Sequence, residues 1–128
     1  MFLIPTFVAP SSIHGLGVFA CEPIARGAVI WRHEPGFDIV LSHEHIARLP
    51  PEGKRFVEMY CYESPLAPGG LVLNGDNARY LNHSRSPNTD NADPSLARAL
   101  RDITKGEEIT CDYGVCCLEF GGAVPFEG

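Results

Sequence analysis

Glycine and proline interrupt this chain so often that no long helix fits into it. Thirteen glycines and eleven prolines are spread along 128 residues, without forming a low-complexity run. Glycine opens positive φ to a turn, and proline removes a helix or ladder donor. Such a chain builds many short elements joined by tight turns. "GVFAC" (17–21) and "AVIWR" (28–32) are apolar runs bounded by glycine and read as strands. "EPIARGA" joins them, with Gly27 placed for a positive-φ turn. The opening "MFLIPTFVAP" has no basic start and is broken by Pro5, so it reads as a first strand, not as a signal peptide. "FDIVL" (37–41) is a third strand. Ser42 is placed to cap a short helix, "HEHIARL", with Ile46 and Leu49 on one face, and Pro50 and Pro51 end it. "EGKRFVEMYCY" (52–62) carries Phe56, Met59 and Tyr60 at helical spacing and predicts an amphipathic helix with those residues toward the core. "LVLN" (71–74) is a strand followed by an Asn74-Gly75 turn. "LARALRDI" (96–103) and "EITCDY" (108–113) are strands joined by the tight turn "TKGE". The expected fold is mostly β (α+β), one domain over 1–128 with one or two short helices.

Several function classes are excluded or disfavoured. The net charge is −6, which argues against direct nucleic-acid binding, since phosphate-backbone binders carry a basic patch. It suits a basic protein partner. No apolar run approaches the roughly 20 residues that span a membrane, so the expected location is cytoplasmic. The five cysteines, Cys21, Cys61, Cys111, Cys116 and Cys117, contain no CxxC pair. They read as reduced thiols, with no metal site. His43 and His45 flank Glu44 as "HEH", which is not the zinc-protease HExxH, and read as exposed helix residues.

The stretch "RYLNHSRSPNT" (79–89) stands apart. It is too polar for a core strand and too structured for a solvent tail. Asn82-His83-Ser84 fits a glycosylation sequon, but nothing in the chain implies secretion. A Ser–His pair adjacent in sequence is not a catalytic arrangement, and there is no GxSxG. Asn82 brings two donors and an acceptor, and Pro87-Asn88 favours a fixed turn. Such a segment either clamps a polar ligand or locks a buried crossing of the chain; by itself it decides neither.

Three segments read together are more specific. "GLGVFA" (15–20), "RYLNHSRSPN" (79–88) and "DITKGEEITCDYG" (102–114) resemble, in order and separation, the SET-domain protein lysine methyltransferases. "GLG" alone is weak, whereas "NHSxxPN" followed by "GEEIxxDYG" is a specific combination. The resemblance covers essentially the whole chain, which is similar to minimal viral and bacterial members without a zinc-binding segment after the domain. It implies small curved β-sheets around a C-terminal pseudoknot, with the 79–88 segment threaded beneath a loop of the C-terminal segment. It makes 33–78 a variable insert that reads the substrate and 115–128 a C-terminal tail.

By the same resemblance the reaction is methyl transfer from S-adenosylmethionine to a lysine side chain of a protein substrate, a basic or histone-like protein among the candidates. Gly15, Leu16 and Gly17 would approach the cofactor through the backbone. Asn82 and His83 would hold its amino-acid and adenine parts, His83 through its main chain. Tyr113 matches the catalytic tyrosine. Tyr60 or Tyr62 would line the lysine channel, and Arg79 would anchor the knot. Glu107 and Glu108 match a mainly structural "GEE", and Asp112 orders the same loop. Arg85 stands where zinc-bearing members have cysteine, so Phe120 and Phe126 of the tail, or the second subunit of a homodimer, would complete the channel. Cys111 stands where the family usually has tyrosine or phenylalanine, which leaves room for more than one methyl transfer. The rival reading is a non-catalytic SET-like module, a dimeric binding scaffold. A pure scaffold has no physical need for the Tyr113 hydroxyl.

Overall fold

The structure is a computed structural model that describes residues 1–113. Along the chain run strands β1 (Thr6–Pro10), β2 (Leu16–Ala20), β3 (Val29–Arg32) and β4 (Ile39–Ser42), then helices α1 (His43–Ala47) and α2 (Pro51–Tyr60). Strand β5 (Gly70–Leu73) leads to a short 3-10 helix (Asn77–Tyr80). Strands β6 (Asn82–His83), β7 (Thr89–Asp90), β8 (Leu96–Ala99) and β9 (Glu108–Cys111) follow. The fold is mostly β with few short helices. The tail residues Cys116, Cys117, Phe120 and Phe126, and any loop closing over 79–88, lie outside the described residues.

Three small sheets form, in the orders β1-β2-β9-β6, β3-β8-β7 and β4-β5. The punctuation works as its chemistry requires: Gly27 and Gly106 turn the chain at φ 84° and 82°. The first two sheets enclose one core, in which Val18, Ala20, Ile30, Ile103 and Ile109 are almost wholly buried. Ala97 and Ala99 of β8 complete it.

The 33–78 segment supplies the third sheet and both helices. Ser42 caps α1 as expected, its hydroxyl accepting from the His45 N–H at 3.1 Å. Pro51 opens α2, where a missing N–H costs nothing. The buried face of α2 differs from the expected one. Val57 is its buried residue, and Cys61, one turn on, is buried as well. Phe56 is 39% exposed and Met59 69%. The helix docks by the 57/61 row, so the neighbouring Phe56–Tyr60 row leans instead on Tyr80, whose ring meets Tyr60 edge-on at 5.6 Å.

A second correction concerns 79–89. Asn82 and His83 do form a core strand, buried at 4% and 2% exposure. Strand β6 lies parallel to β9, with Asn82 opposite Thr110 and His83 opposite Cys111. The chain then turns and grips β9 a second time. Asn88 accepts from the Thr110 N–H at 2.9 Å and donates to the Glu108 carbonyl at 2.8 Å. Thr89 donates to the Thr110 carbonyl at 2.7 Å. Polar side chains are tolerated there because they occupy ladder positions, pairing backbone groups that burial would otherwise strand.

Candidate active site

Asn82 sits where the loop before β2, strand β6 and strand β9 meet. Its amide nitrogen donates to the His14 carbonyl at 3.0 Å, the Leu16 carbonyl at 3.1 Å and the Glu108 carboxylate at 3.0 Å. Reversing the amide would set oxygen against three oxygens, so its orientation is fixed. Asn82 lines a cleft of about 1150 Å³. That exceeds the roughly 300–1,000 Å³ of a site for one small ligand, which leaves room for two substrates side by side.

Gly15, Leu16, Cys111 and Tyr113 line the same cleft, and so do Tyr60 and Tyr62. Gly17 and His83 are buried. A Cβ at Gly17 would come within 2.4 Å of Glu108 Oε2, so its immediate neighbour is protein. The His83 ring is a brace: its Nδ1 accepts the Tyr113 N–H at 3.1 Å. Asp112 Oδ1 also lies 3.8 Å from that nitrogen. The opposite ring nitrogen is Nε2. That Nε2 is buried without a hydrogen-bond partner among the described residues.

Tyr113 is held at both ends. Its N–H meets His83 and its hydroxyl donates to the Leu81 carbonyl. With its proton committed to that carbonyl, the phenol oxygen can offer lone pairs to a neighbour but no second proton. Cys111 is buried at 3% exposure. The Tyr62 hydroxyl donates to Asn74 Oδ1 at 3.2 Å, and Tyr60 is half-buried against Tyr80.

Arg79 makes its contacts within the insert. Its guanidinium donates twice to the Asn74 carbonyl, at 3.2 and 3.0 Å, and lies over the Phe56 ring. It ties the end of β5 to the 3-10 helix. Glu107 braces the turn into β9. Burial pushes its carboxyl pKa up, but hydrogen bonds from Asn88, the Thr104 N–H and Arg101, with the charge of Arg101, outweigh that and hold it below the usual glutamate value. Ser11 was not signalled by any motif. Its hydroxyl donates to the Glu108 carboxylate at 2.8 Å and accepts the Ile13 N–H at 2.9 Å. Only the strand register brings it to the site.

A family model described as the SET domain matches residues 15–114. The chain belongs to the SET-domain family. It is 28% identical over 117 residues to histone-lysine N-methyltransferase 2D of Homo sapiens, a match that covers 84% of this chain and 2% of that protein. It is 30% identical over 122 residues to a putative histone-lysine N-methyltransferase 1 of Plasmodium falciparum, again over 84% of this chain and 2% of that protein. The chain therefore spans about 2% of the length of these curated relatives. Among solved structures, a putative histone methyltransferase of Plasmodium falciparum superposes with TM-score 0.60 at 24% identity, over 87% of this chain and 94% of that one. The autoinhibited, S-adenosylmethionine-bound ctPRC2 gives TM-score 0.64 at 24% identity, over 89% of this chain and 16% of that one. These two likenesses show the SET fold. No helix among the described residues is long and apolar enough to cross a membrane.

Proposed function

We propose that this chain is a protein lysine N-methyltransferase that uses S-adenosylmethionine. The observation that carries the reading is that Asn82 and Tyr113, far apart in sequence, line one cleft large enough for two substrates. The donor set fits the cofactor. Asn82 carries an amide oxygen, an acceptor suited to an ammonium group, and Gly15 and Leu16 line the same cleft. S-adenosylmethionine, when bound, supplies an electrophilic methyl group on a sulfonium.

The residues of this chain then have three tasks. The first is to favour the neutral amine. A free lysine has a pKa of about 10.4 and is nearly all protonated at neutral pH. A dry channel bordered by Tyr60 or Tyr62 and Cys111 disfavours the charged form and leaves the proton to water. The second is alignment. Bound there, S-adenosylmethionine would supply the methyl carbon and keep the S–C electron pair on sulfur, and the cleft walls would hold the lysine amine in line with that bond. The third belongs to Tyr113. Its oxygen, already donating to Leu81, acts as an acceptor for weak CH···O contacts and for the amine. No general-base role is required of it. Cys111, smaller than an aromatic, leaves space for a lysine that already carries a methyl. The acidic chain suits a basic protein substrate, of which the histones named in its relatives are the type.

Titration calorimetry with S-adenosylhomocysteine, the product of the transfer, tests the cofactor site. Tyr113→Phe tests the chemistry: turnover should fall on the order of 100-fold while product binding and fold persist. Binding retained with no turnover on any lysine-rich protein, in wild type and variant alike, would favour the scaffold reading. Mass spectrometry of the product tests Cys111; a strict single methyl on every substrate would count against it.

A further inference from the structure

We infer that Glu108 is the positioning residue of the methyl-donor site, and that position 17 is glycine to leave room for the Glu108 carboxylate. The inference rests on reading the cleft as that site. Strand register supplies the geometry. Phe19 lies opposite Glu108, so Gly17, two residues back on β2, is the diagonal neighbour of Glu108 on the same face. Asn82 lies opposite Thr110, so Glu108 is also diagonal to Asn82 across β6. One carboxylate therefore stands between the glycine on one side and the asparagine on the other.

The contacts bear this out. Both oxygens of Glu108 receive the Ser11 hydroxyl, at 2.8 and 2.9 Å, and Oε2 also receives the Asn82 amide at 3.0 Å. A Cβ at position 17 would lie 2.4 Å from Oε2, 2.9 Å from the carboxyl carbon and 3.1 Å from the Ser11 Cβ. The free end of a glutamate ordinarily swings away from such a clash. This one is fixed from two sides, so it can retreat only by releasing Ser11 and Asn82. Gly17 does not adopt the left-handed φ that would by itself demand glycine. Crowding by Glu108 is thus the reason the structure gives for the missing side chain. The functional link runs through Asn82: without Glu108 its amide keeps the His14 and Leu16 carbonyls but loses its one charged acceptor.

A double-mutant cycle on the full chain tests this, with S-adenosylhomocysteine affinity read by calorimetry. Gly17→Ala should weaken binding about tenfold in the wild-type background, one charge-assisted hydrogen bond's worth. In a Glu108→Ala background the same change should weaken it less than about twofold further, because the clash is gone. Should Glu108→Ala not fold, Glu108→Asp, one methylene shorter, replaces it. Ser11→Ala should raise KM for S-adenosylmethionine about threefold with kcat unchanged, a split that a merely structural loss of active protein would not give. An equal Gly17→Ala penalty in both backgrounds would overturn the inference and assign the glycine to the cofactor directly. Wild-type protein that binds no S-adenosylhomocysteine removes the donor-site reading itself. The steric claim then stands or falls on urea midpoints of the same four proteins, where equal shifts in both backgrounds overturn it.

Discussion

Strand β9 and the 33–78 segment are both tied to the body of the molecule through buried polar groups, but the number of ties differs. On β9, Ile109, Thr110 and Cys111 are buried, and the strand is gripped by β2, by β6 and by the side chains of Asn88 and Thr89. In the 33–78 segment, α1 buries no residue, and Ile39 and Val40 of β4 are 45% and 46% exposed. Its polar ties to the rest of the chain lie near its two ends: Asp38 accepts from the Met1 ammonium at 3.0 Å, and from the Glu34 and Gly75 N–H groups of the segment itself at 2.8 and 3.2 Å, while Asp76 accepts from the Phe2 N–H at 2.8 Å and Asn77 donates to the Thr6 hydroxyl at 3.0 Å. A many-point joint fixes geometry to fractions of an ångström, as a reacting site requires. Ties near the two ends of a segment leave the exposed stretch between them free to vary without disturbing that site.

The sharpest way to break this contrast is Asp38→Ala. It leaves an ammonium and two N–H groups without their shared acceptor and should cost about 4 kcal/mol by urea unfolding. A cost near zero would mean that the ties through Asp76 and Asn77 and the apolar contacts hold the segment without it. Asn88→Ala comes next. It strands the Thr110 N–H and the Glu108 carbonyl and should cost about 3 kcal/mol; a smaller loss than about 1 kcal/mol would show that water enters and replaces the grip. Acid sharpens the same contrast. Because the folded Glu107 pKa lies below the ordinary 4.5, its stabilisation is complete above the unfolded value and lost as pH falls through the lower folded one. Wild type should therefore lose stability more steeply than Glu107→Gln between about pH 5 and pH 3. The smallest effect is expected on the exposed face of the segment. Arg48→Ser, at an exposed pair with Glu44, should change stability by less than about 0.5 kcal/mol and leave S-adenosylhomocysteine binding unaltered. A tenfold change in that binding would show that the segment and the donor site are one unit.

Much of the architecture was legible because its cause is local. Gly27 and the "TKGE" turn need only positive φ, and Ser42 needs only the first turn of its own helix. The face of α2 was not legible in the same way. Phe56, Met59 and Tyr60 have the right spacing for a buried stripe, but the 57/61 row docks, and which row docks depends on what the rest of the chain presents to it. The polar stretch 79–89 showed that it had an unusual task. It did not show that Asn82 and Asn88 would stand in for ladder partners, because their acceptors lie on a strand that comes later in the chain.

By itself, then, the sequence determined the β-rich fold, the positions of its turns and the SET-family pattern around Asn82, His83 and Tyr113, since these rest on residue type and spacing along the chain. Tertiary structure alone decided that Gly15, Leu16, Asn82, Cys111 and Tyr113 share a cleft. It alone brought Ser11 to Glu108. The reason is physical: a side chain's role at a site depends on which strand lies beside its own and in what register, and a shift of one residue would turn each of these groups to the opposite face.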